Sequence, residues 1–253
     1  MPPVLGVILA GGLSRRMGGG DKPLLRLGGR TLLERVAERF APQCVAGVIL
    51  NANGDPGRFA GFGGAIVPDV VPGNPGPLAG ILAALDHAAL HHPAVEYVAS
   101  VTGDAPFLPH DLVRRLGDAL AEARSSAGPL SHGERDRVRG VDSPDSALPS
   151  PQPSPHGRGS PRATSDEVGS HGTIAVAASG GRQHFTTALW SLALRDDLRA
   201  ALVERDERRV GAYLARHGAI AVDWPADPVD HFLNLNTPED LAAAEALIAS
   251  RGA

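Results

Sequence analysis

A glycine-rich run near the start of the chain has the composition of a loop that binds anions. Residues 9–22 read LAGGLSRRMGGGDK and follow a short apolar stretch. Gly11 and Gly12 lack side chains, so the backbone there can approach a ligand closely and turn its amides toward phosphate oxygens. Arg15 or Arg16 adds a guanidinium donor to the same loop. The run therefore predicts a phosphate site.

Lys22 ends this loop and is the one lysine among the 24 basic residues of the chain. A compact ammonium and a planar guanidinium are not interchangeable at a tight site, so a single retained lysine favours a specific role. Two familiar phosphate motifs are absent. A P-loop needs GxxxxGK followed by Ser or Thr, whereas Pro23 follows Lys22, and the glycines do not match GxGxxG. A P-loop ATPase and an NAD dehydrogenase are therefore disfavoured.

Asp104 supplies an acidic group for the same ligand. It follows the apolar run at residues 95–101, which predicts a strand. Ligands of parallel sheets bind beyond the carboxyl ends of the strands, so Asp104 and the glycine loop are expected to meet there. Because carboxylate oxygens bind hard cations, we predict Mg²⁺ at Asp104, on the phosphates of a nucleoside triphosphate. The alternative, that Asp104 caps the next helix, is disfavoured because that helix begins near Asp111.

Alternating strand-like and helix-like stretches must position these residues. Apolar runs predict strands, amphipathic stretches predict helices, and two helix starts are marked by Thr31 with Glu34 and by Thr237 before Pro238. The order predicts an α/β fold with a single doubly wound, mostly parallel, Rossmann-like sheet and helices on both faces. Strands are predicted at residues 4–9, 46–51, 64–67, 95–101, 173–178, 185–192 and 219–224, and helices at 31–40, 78–90, 111–124, 194–204, 207–217 and 238–248.

Residues 125–170 differ from the rest of the chain. They are rich in Pro, Ser, Gly, Arg and Asp and show almost no apolar periodicity. Such a segment cannot bury enough apolar surface to offset its ordering entropy, so we interpret it as a disordered insertion, with a regulatory or partner-binding segment as the alternative. We therefore predict one domain over residues 1–253, with a nucleotide-binding half at 1–124 and an acceptor-binding half at 171–253.

Charge and composition limit the classes of partner. The chain has 24 basic and 28 acidic residues, so no basic excess attracts a polyanion, and a nucleic-acid partner is disfavoured. The first apolar run is too short to cross a bilayer and has no basic segment before it, so neither a membrane partner nor a secretory signal is expected. The lone Cys44 can form no intramolecular disulfide. We expect a cytoplasmic protein.

The motifs together carry a family resemblance. The run LAGGLSRRMGGGDKPLLRLGGRTLLERV is similar to the signature of nucleotidyltransferases that activate small molecules with NTPs, and the whole chain resembles the molybdenum cofactor guanylyltransferases. Further matches follow in the family's order: ILNAN, VPD, PGPLAGI, TGDAPF, ERRV and NLNTPED. The resemblance implies transfer of GMP from GTP to the terminal phosphate of molybdopterin, with Mg²⁺ as cofactor. Cofactor-delivery or molybdoenzyme-maturation proteins are further candidate partners.

The resemblance also implies roles for individual residues. Those expected to act on the phosphates or hold the metal are Lys22 and Asp104, to which the composition of the loop adds Arg16. Those expected to meet the nucleotide through backbone groups are Leu9, Ala10 and Gly11, to which the loop adds Gly12. Those expected to help read the base or ribose are Asn51 and Asp69. Those expected on the pterin side are Arg182, Arg208 or Arg209, Asn234 and Asn236.

Two other functions stay open at this point. A related cytidylyltransferase, acting on molybdenum cofactor or on another phosphorylated metabolite, would use the same loop and Asp104. A non-catalytic nucleotide-binding regulator is the alternative of another class, and the presence of both Lys22 and Asp104 argues against it. Structural alternatives also stay open: Asn51 as a turn residue, Asp69 as a loop carboxylate, and Asn234 as a partner of backbone groups.

Overall fold

A computed structural model describes residues 2–11, 21–73, 76–126 and 173–250. The described residues belong to one unit, formed by Met1–Ala127 with Ser170–Ala253. A second unit, Gly128–Gly169, lies outside the described residues. The predictions for Gly12 and Arg16 also lie outside them.

Nine strands occur in the described residues. Their bounds are Val4–Leu9 (β1), Arg26–Leu27 (β2), Arg30–Thr31 (β3), Val48–Asn51 (β4), Ile66–Val67 (β5), Tyr97–Thr102 (β6), Ile174–Ser179 (β7), Arg182–Ser191 (β8) and Ile220–Trp224 (β9). Seven of them form one sheet in the order β5-β4-β1-β6-β8-β7-β9. β5, β4, β1 and β6 run parallel to one another. β8 is antiparallel to its neighbours β6 and β7, and β7 is parallel to β9. The prediction of a mostly parallel sheet is confirmed.

Helices cover both faces of this sheet, as predicted. They are Leu32–Phe40 (α1), Pro77–His91 (α2), Leu112–Ser126 (α3), Arg195–Val203 (α4), Val210–Arg216 (α5) and Pro238–Ser250 (α6). β1 shows why two layers form, because its side chains alternate between the faces. Val4 and Ile8 pack in the core with α1 and α3, whereas Leu5 and Val7 pack with α2, α4 and α5. Within the described ranges, no helix has the length and apolar character needed to cross a membrane.

Side-chain caps start two of the helices where the sequence predicted them. At α1, the Thr31 hydroxyl accepts a hydrogen bond of 3.1 Å from the Glu34 amide, and the Glu34 carboxylate accepts one of 2.6 Å from the Thr31 amide. At α6, the Thr237 hydroxyl and the amide of Asp240 form the equivalent bond at 3.1 Å, with a return bond of 2.9 Å. These reciprocal bonds satisfy amides that have no partner within the helix.

The structure adds two short strands to the predicted elements and shifts the bounds of several others. β2 and β3 were not predicted, because two residues in each strand are too few to show an alternating pattern. Their turn requires Gly28 and Gly29, whose φ angles are 55° and 79°. α3 extends to Ser126 and so includes the first two residues of the predicted insertion. The rest of that predicted insertion lies outside the described residues.

Candidate functional site

The carboxyl ends of β1, β4 and β6 surround a cavity of about 460 Å³. Leu9 ends β1, Asn51 ends β4 and Thr102 ends β6, and all three line this first cavity. β4 lies on one side of β1 and β6 on the other, so the order of the strands reverses here. Ligands of α/β sheets bind in the crevice at such a reversal, and the volume is typical of a small-molecule site.

Lys22 joins two residues from distant parts of the chain. Its ammonium forms an ion pair with Asp104 and donates a hydrogen bond of 2.6 Å to Oδ1 of Asn236. Lys22 is buried, with 9% of its surface exposed. Because a buried charge without partners is costly, both contacts are needed to hold the ammonium in place. The three side chains form one polar cluster at the first cavity.

Backbone contacts bring the two partners of Lys22 together. Asp104 follows β6 by two residues, and its carbonyl oxygen accepts a hydrogen bond of 3.1 Å from the amide of Leu235. The amide of Asn236 in turn donates at 2.8 Å to the carboxylate of Asp240 in α6. The segment before the last helix therefore lies against the end of β6, and the C-terminal part of the chain helps to build the site.

Asp104 has an oxygen without a partner. Among the buried side-chain nitrogen and oxygen atoms of the described residues, Oδ1 of Asp104 is the one with no hydrogen bond. Buried polar atoms are normally paired, and a free carboxylate oxygen suits a hard cation. The described part of the chain holds no group of three His, Cys, Asp or Glu side chains suited to a metal. A cation at Asp104 would therefore need oxygen ligands from outside such a group of side chains.

Asp69 is held by two asparagine side chains. Asn51 donates to one carboxylate oxygen at 3.0 Å, and Asn53 donates to the other at 2.8 Å. The side-chain oxygen of Asn53 also accepts a hydrogen bond of 2.8 Å from the amide of Asp69. All three residues line the first cavity. The structure thus brings the predicted pair Asn51 and Asp69 together.

Asn53 was missed by the sequence reasoning, although a signal was present. Asn51 and Asn53 stand two positions apart in ILNAN, directly at the end of a strand. In an extended chain that spacing places both side chains on the same side. A search for polar residues at this spacing beyond strand ends would have found Asn53.

The residues Leu9 to Gly11 are not equivalent in the structure. The Leu9 carbonyl accepts a hydrogen bond of 3.0 Å from Gly103, and the Ala10 amide donates one of 2.9 Å to the Asn51 carbonyl. Ala10 is buried in the core, whereas Leu9 and Gly11 line the first cavity. A Cβ on Gly11 would meet no atom of the described residues within 4 Å. Gly11 is therefore the position of the three with open space for a ligand beside its backbone.

A second cavity, of about 680 Å³, adjoins the first, because Pro77 and Thr186 line both. No carboxylate of the described residues lines it. Its lining includes the residues predicted for the pterin side, with the exception of Asn236: Arg182, Arg208, Arg209 and Asn234. The structure therefore brings these three arginines and Asn234 to one place, next to the candidate nucleotide site.

An irregularity in β8 shapes the wall that the cavities share. Val176 of β7 pairs with Ala188, but Ala178 pairs with Gln183, so residues 184–187 lie opposite residue 177 alone. The Ser100 hydroxyl donates a hydrogen bond of 2.7 Å to the carbonyl of the bulged Thr186. Bulges redirect side chains and are frequent beside functional sites.

Asn234 and Asn236 lie in different surroundings. Asn234 lines the second cavity, and its side-chain oxygen accepts a hydrogen bond of 3.2 Å from Thr102. Asn236 is bonded to Lys22 and so belongs to the cluster at the first cavity. The family resemblance implied that both asparagines lie on the pterin side, whereas the structure places Asn234 at the second cavity and Asn236 beside Lys22.

Known proteins resemble this chain in sequence and in fold. Residues 6–220 match the family model described as the MobA-like NTP transferase domain. A molybdenum cofactor guanylyltransferase from Nitrobacter hamburgensis is 45% identical over 252 residues, which cover 100% of this chain and 98% of the relative. Another from a Bradyrhizobium species is 45% identical over 246 residues, 97% of this chain and 93% of the relative. A solved structure with the same fold is molybdopterin-guanine dinucleotide biosynthesis protein A from Archaeoglobus fulgidus, with a TM-score of 0.60 and 18% identity over 98% of this chain and 99% of that one.

Proposed function

The chain belongs to the MobA-like NTP transferase family, and we propose that it transfers GMP from GTP to the terminal phosphate of molybdopterin. The products are the guanine dinucleotide form of the cofactor and diphosphate. The names and the identity of the relatives, molybdenum cofactor guanylyltransferases, support this substrate pair. The observation that carries the proposal is the cluster of Lys22, Asp104 and Asn236 at the first cavity.

The first cavity is the proposed site of GTP. Gly11 offers open space beside its backbone for the phosphates, and Lys22 supplies a compact positive charge next to them. Asp69 lines another part of the cavity with Asn51 and Asn53. A carboxylate accepts hydrogen bonds, so Asp69 suits the N–H groups of guanine or the hydroxyls of ribose.

Mg²⁺ is the proposed metal, and Asp104 is its proposed protein ligand. The free Oδ1 of Asp104 would bind the cation, while the contact of Lys22 with the other oxygen fixes the carboxylate. Bound there, Mg²⁺ would neutralise negative charge on the α- and β-phosphates.

The reaction is a displacement at the α-phosphorus of GTP. An oxygen of the acceptor phosphate forms a bond to that phosphorus, and the bond to the oxygen bridging the α- and β-phosphates breaks, so diphosphate leaves. A phosphate monoester is largely dianionic at neutral pH, so no strong general base is required. Lys22 stabilises the charge, Asn236 orients the ammonium, and positioning of the two phosphates supplies most of the remaining catalysis.

The second cavity is the proposed acceptor site, since it adjoins the first and carries Arg182, Arg209 and Asn234. Residues 1–124 then bind the donor and residues 171–253 the acceptor, except that Asn236 acts at the donor site. We place the reaction in the cytoplasm, where GTP is available, with cofactor-delivery or molybdoenzyme-maturation proteins as proposed partners.

Diphosphate release tests the proposal. The purified chain is incubated with GTP, Mg²⁺ and molybdopterin, and we expect diphosphate to appear only when the acceptor is present and to stop on addition of EDTA. Asp104→Ala should abolish release. Asp118→Ala, on the exposed side of α3, is the matched control and should keep full activity. Preferential release from CTP would overturn the guanylyl assignment, and tight GTP binding without any release would favour a regulator.

A further inference from the structure

Phe185 is an exposed aromatic residue inside a cavity. It lies in β8 within the bulged residues 184–187, and 44% of its surface is exposed. It lines the second cavity. Exposure of a large apolar side chain is unfavourable, so its presence in a concave site indicates a ligand with an apolar face.

The phenyl ring is held in place by a glycine of α5. A Cβ on Gly211 would lie 3.0 Å from Cε2 of Phe185. The absence of a side chain at Gly211 therefore allows the ring to pack directly against the helix backbone. An aromatic side chain has two rotatable bonds, so this packing leaves a rigid flat surface that loses little entropy when a ligand binds.

The charges around Phe185 restrict the class of ligand. Arg182 and Arg209 line the same cavity, and no carboxylate of the described residues does. Flat heterocycles stack on aromatic rings, and arginine binds both aromatic faces and anionic groups. The surroundings of Phe185 therefore fit a planar heterocycle that carries negative charge.

The position of Phe185 also fits the direction in which the acceptor must lie. The next residue, Thr186, lines both cavities. A ring stacked on Phe185 would thus have one edge near the shared wall, from which a phosphate substituent can extend into the first cavity.

We propose that Phe185 binds the acceptor by stacking against its pterin ring and so determines the affinity for the acceptor without contributing to that for GTP. This inference rests on the proposed function. Arg182 and Arg209 bind negative groups of the same molecule, and Gly211 keeps the ring in position.

Steady-state kinetics of two variants test the role of the ring. Phe185→Leu keeps an apolar side chain but removes the flat face, and it should raise the KM for molybdopterin roughly tenfold, as expected for loss of one aromatic stack. The KM for GTP and the kcat should stay unchanged. Phe185→Tyr keeps the ring and should restore the acceptor KM to about twice the wild-type value or less, on the same ground. Leu90→Ala removes an apolar side chain that is more exposed than Phe185 and lies outside both cavities, and it is the control.

A direct binding experiment separates this inference from the proposed function. Neopterin monophosphate is a fluorescent pterin with a phosphate, and its emission should be quenched by the wild-type chain and by Phe185→Tyr. Phe185→Leu should need about ten times more protein for the same quenching. The wild type could release no diphosphate and still quench the pterin more strongly than Phe185→Leu does. That outcome would contradict the proposed transfer reaction but would support the pterin site at Phe185. An unchanged acceptor KM in Phe185→Leu, or an equal rise in the KM for GTP, would overturn the inference.

Discussion

A Cβ atom on Gly80 would lie 2.2 Å from Oδ1 of Asn51. Gly80 belongs to the first turns of α2, and Asn51 ends β4. The side-chain amide of Asn51 donates to the Val67 carbonyl at 3.1 Å and to Asp69 at 3.0 Å, so the side chain cannot rotate without losing both bonds. Gly80 therefore allows the helix to approach the asparagine that orients Asp69.

Gly80→Ala is expected to displace Asn51 and release Asp69 from its fixed orientation. The KM for GTP should rise roughly tenfold, which corresponds to about 1.4 kcal/mol, with a smaller change in kcat. Alanine favours helices over glycine by about 1 kcal/mol, so thermal stability is a poor readout and steady-state kinetics is the measurement. Gly61→Ala is the control, since a Cβ there meets no described atom within 4 Å. An unaltered KM in Gly80→Ala would show that the orientation of Asp69 does not matter for GTP.

Lys22→Met should lower kcat by about 100-fold, the scale seen when one group that stabilises the transition state is removed. Lys22→Arg should recover only part of this loss, because a planar guanidinium cannot replace the compact ammonium between Asp104 and Asn236. Diphosphate release under saturating substrates is the measurement. Arg199→Lys, at an exposed pair with Asp86, makes the reverse exchange away from the site and should leave kcat as it is. Full activity of Lys22→Arg would contradict the need for an ammonium.

Arg58 connects two parts of the candidate nucleotide site. Its guanidinium forms an ion pair with Asp21, next to Lys22, and donates to the backbone carbonyl of Asn53, which holds Asp69. Arg58→Gln should weaken the contacts with Asp21 and with the Asn53 backbone. We expect the KM for GTP to rise about fivefold, equivalent to roughly 1 kcal/mol. Arg114→Gln breaks comparable pairs on the exposed face of α3 and is the control. Equal KM values for GTP in the two variants would show that Arg58 does not contribute to GTP binding.

Local patterns were sufficient to predict most elements of the fold. β1 was predicted with its observed bounds, because a strand buried on both faces is a continuous apolar run. α1 was recognised from the capping box of Thr31 and Glu34, whose two bonds depend on a spacing visible in the sequence. The bulge in β8 was not predicted, since it depends on the pairing of Ala178 with Gln183.

The site could be predicted only in part for the same reason. Parallel strands end at one edge of a sheet, so Asn51 and Asp104 could be expected near the glycine loop before their contacts were known. The hydrogen bond from Lys22 to Asn236 joins residues that are 214 positions apart in the sequence. A local sequence pattern carries no information about a contact between such distant positions. Phe185 was predicted as part of a strand, but its exposure in a cavity follows from the bulge and from Gly211.

Asp197 connects α4 to α5 through its carboxylate. The hydroxyl of Tyr213 donates to it at 3.0 Å, Arg216 at 3.2 Å and Arg205 at 2.8 Å. Burial alone would raise the pKa of the Asp197 carboxyl, but these hydrogen bonds outweigh burial and hold the pKa well below its usual value. The ionised carboxylate is therefore favoured in the folded state.

Asp197→Asn tests this contribution through its pH dependence. A carboxyl whose pKa is lowered by folding stabilises the protein above its unfolded pKa, near 3.9, and this contribution is lost as the pH falls toward the folded pKa. Because 36% of the side chain is exposed, solvent screening reduces the gain. We expect the unfolding midpoint to fall by about 3 °C at pH 7, and the difference from wild type to shrink below about pH 4. Asp196→Asn, at the exposed neighbouring carboxylate, should change the midpoint little at either pH. A deficit in Asp197→Asn that stays constant or grows on acidification would contradict the lowered pKa.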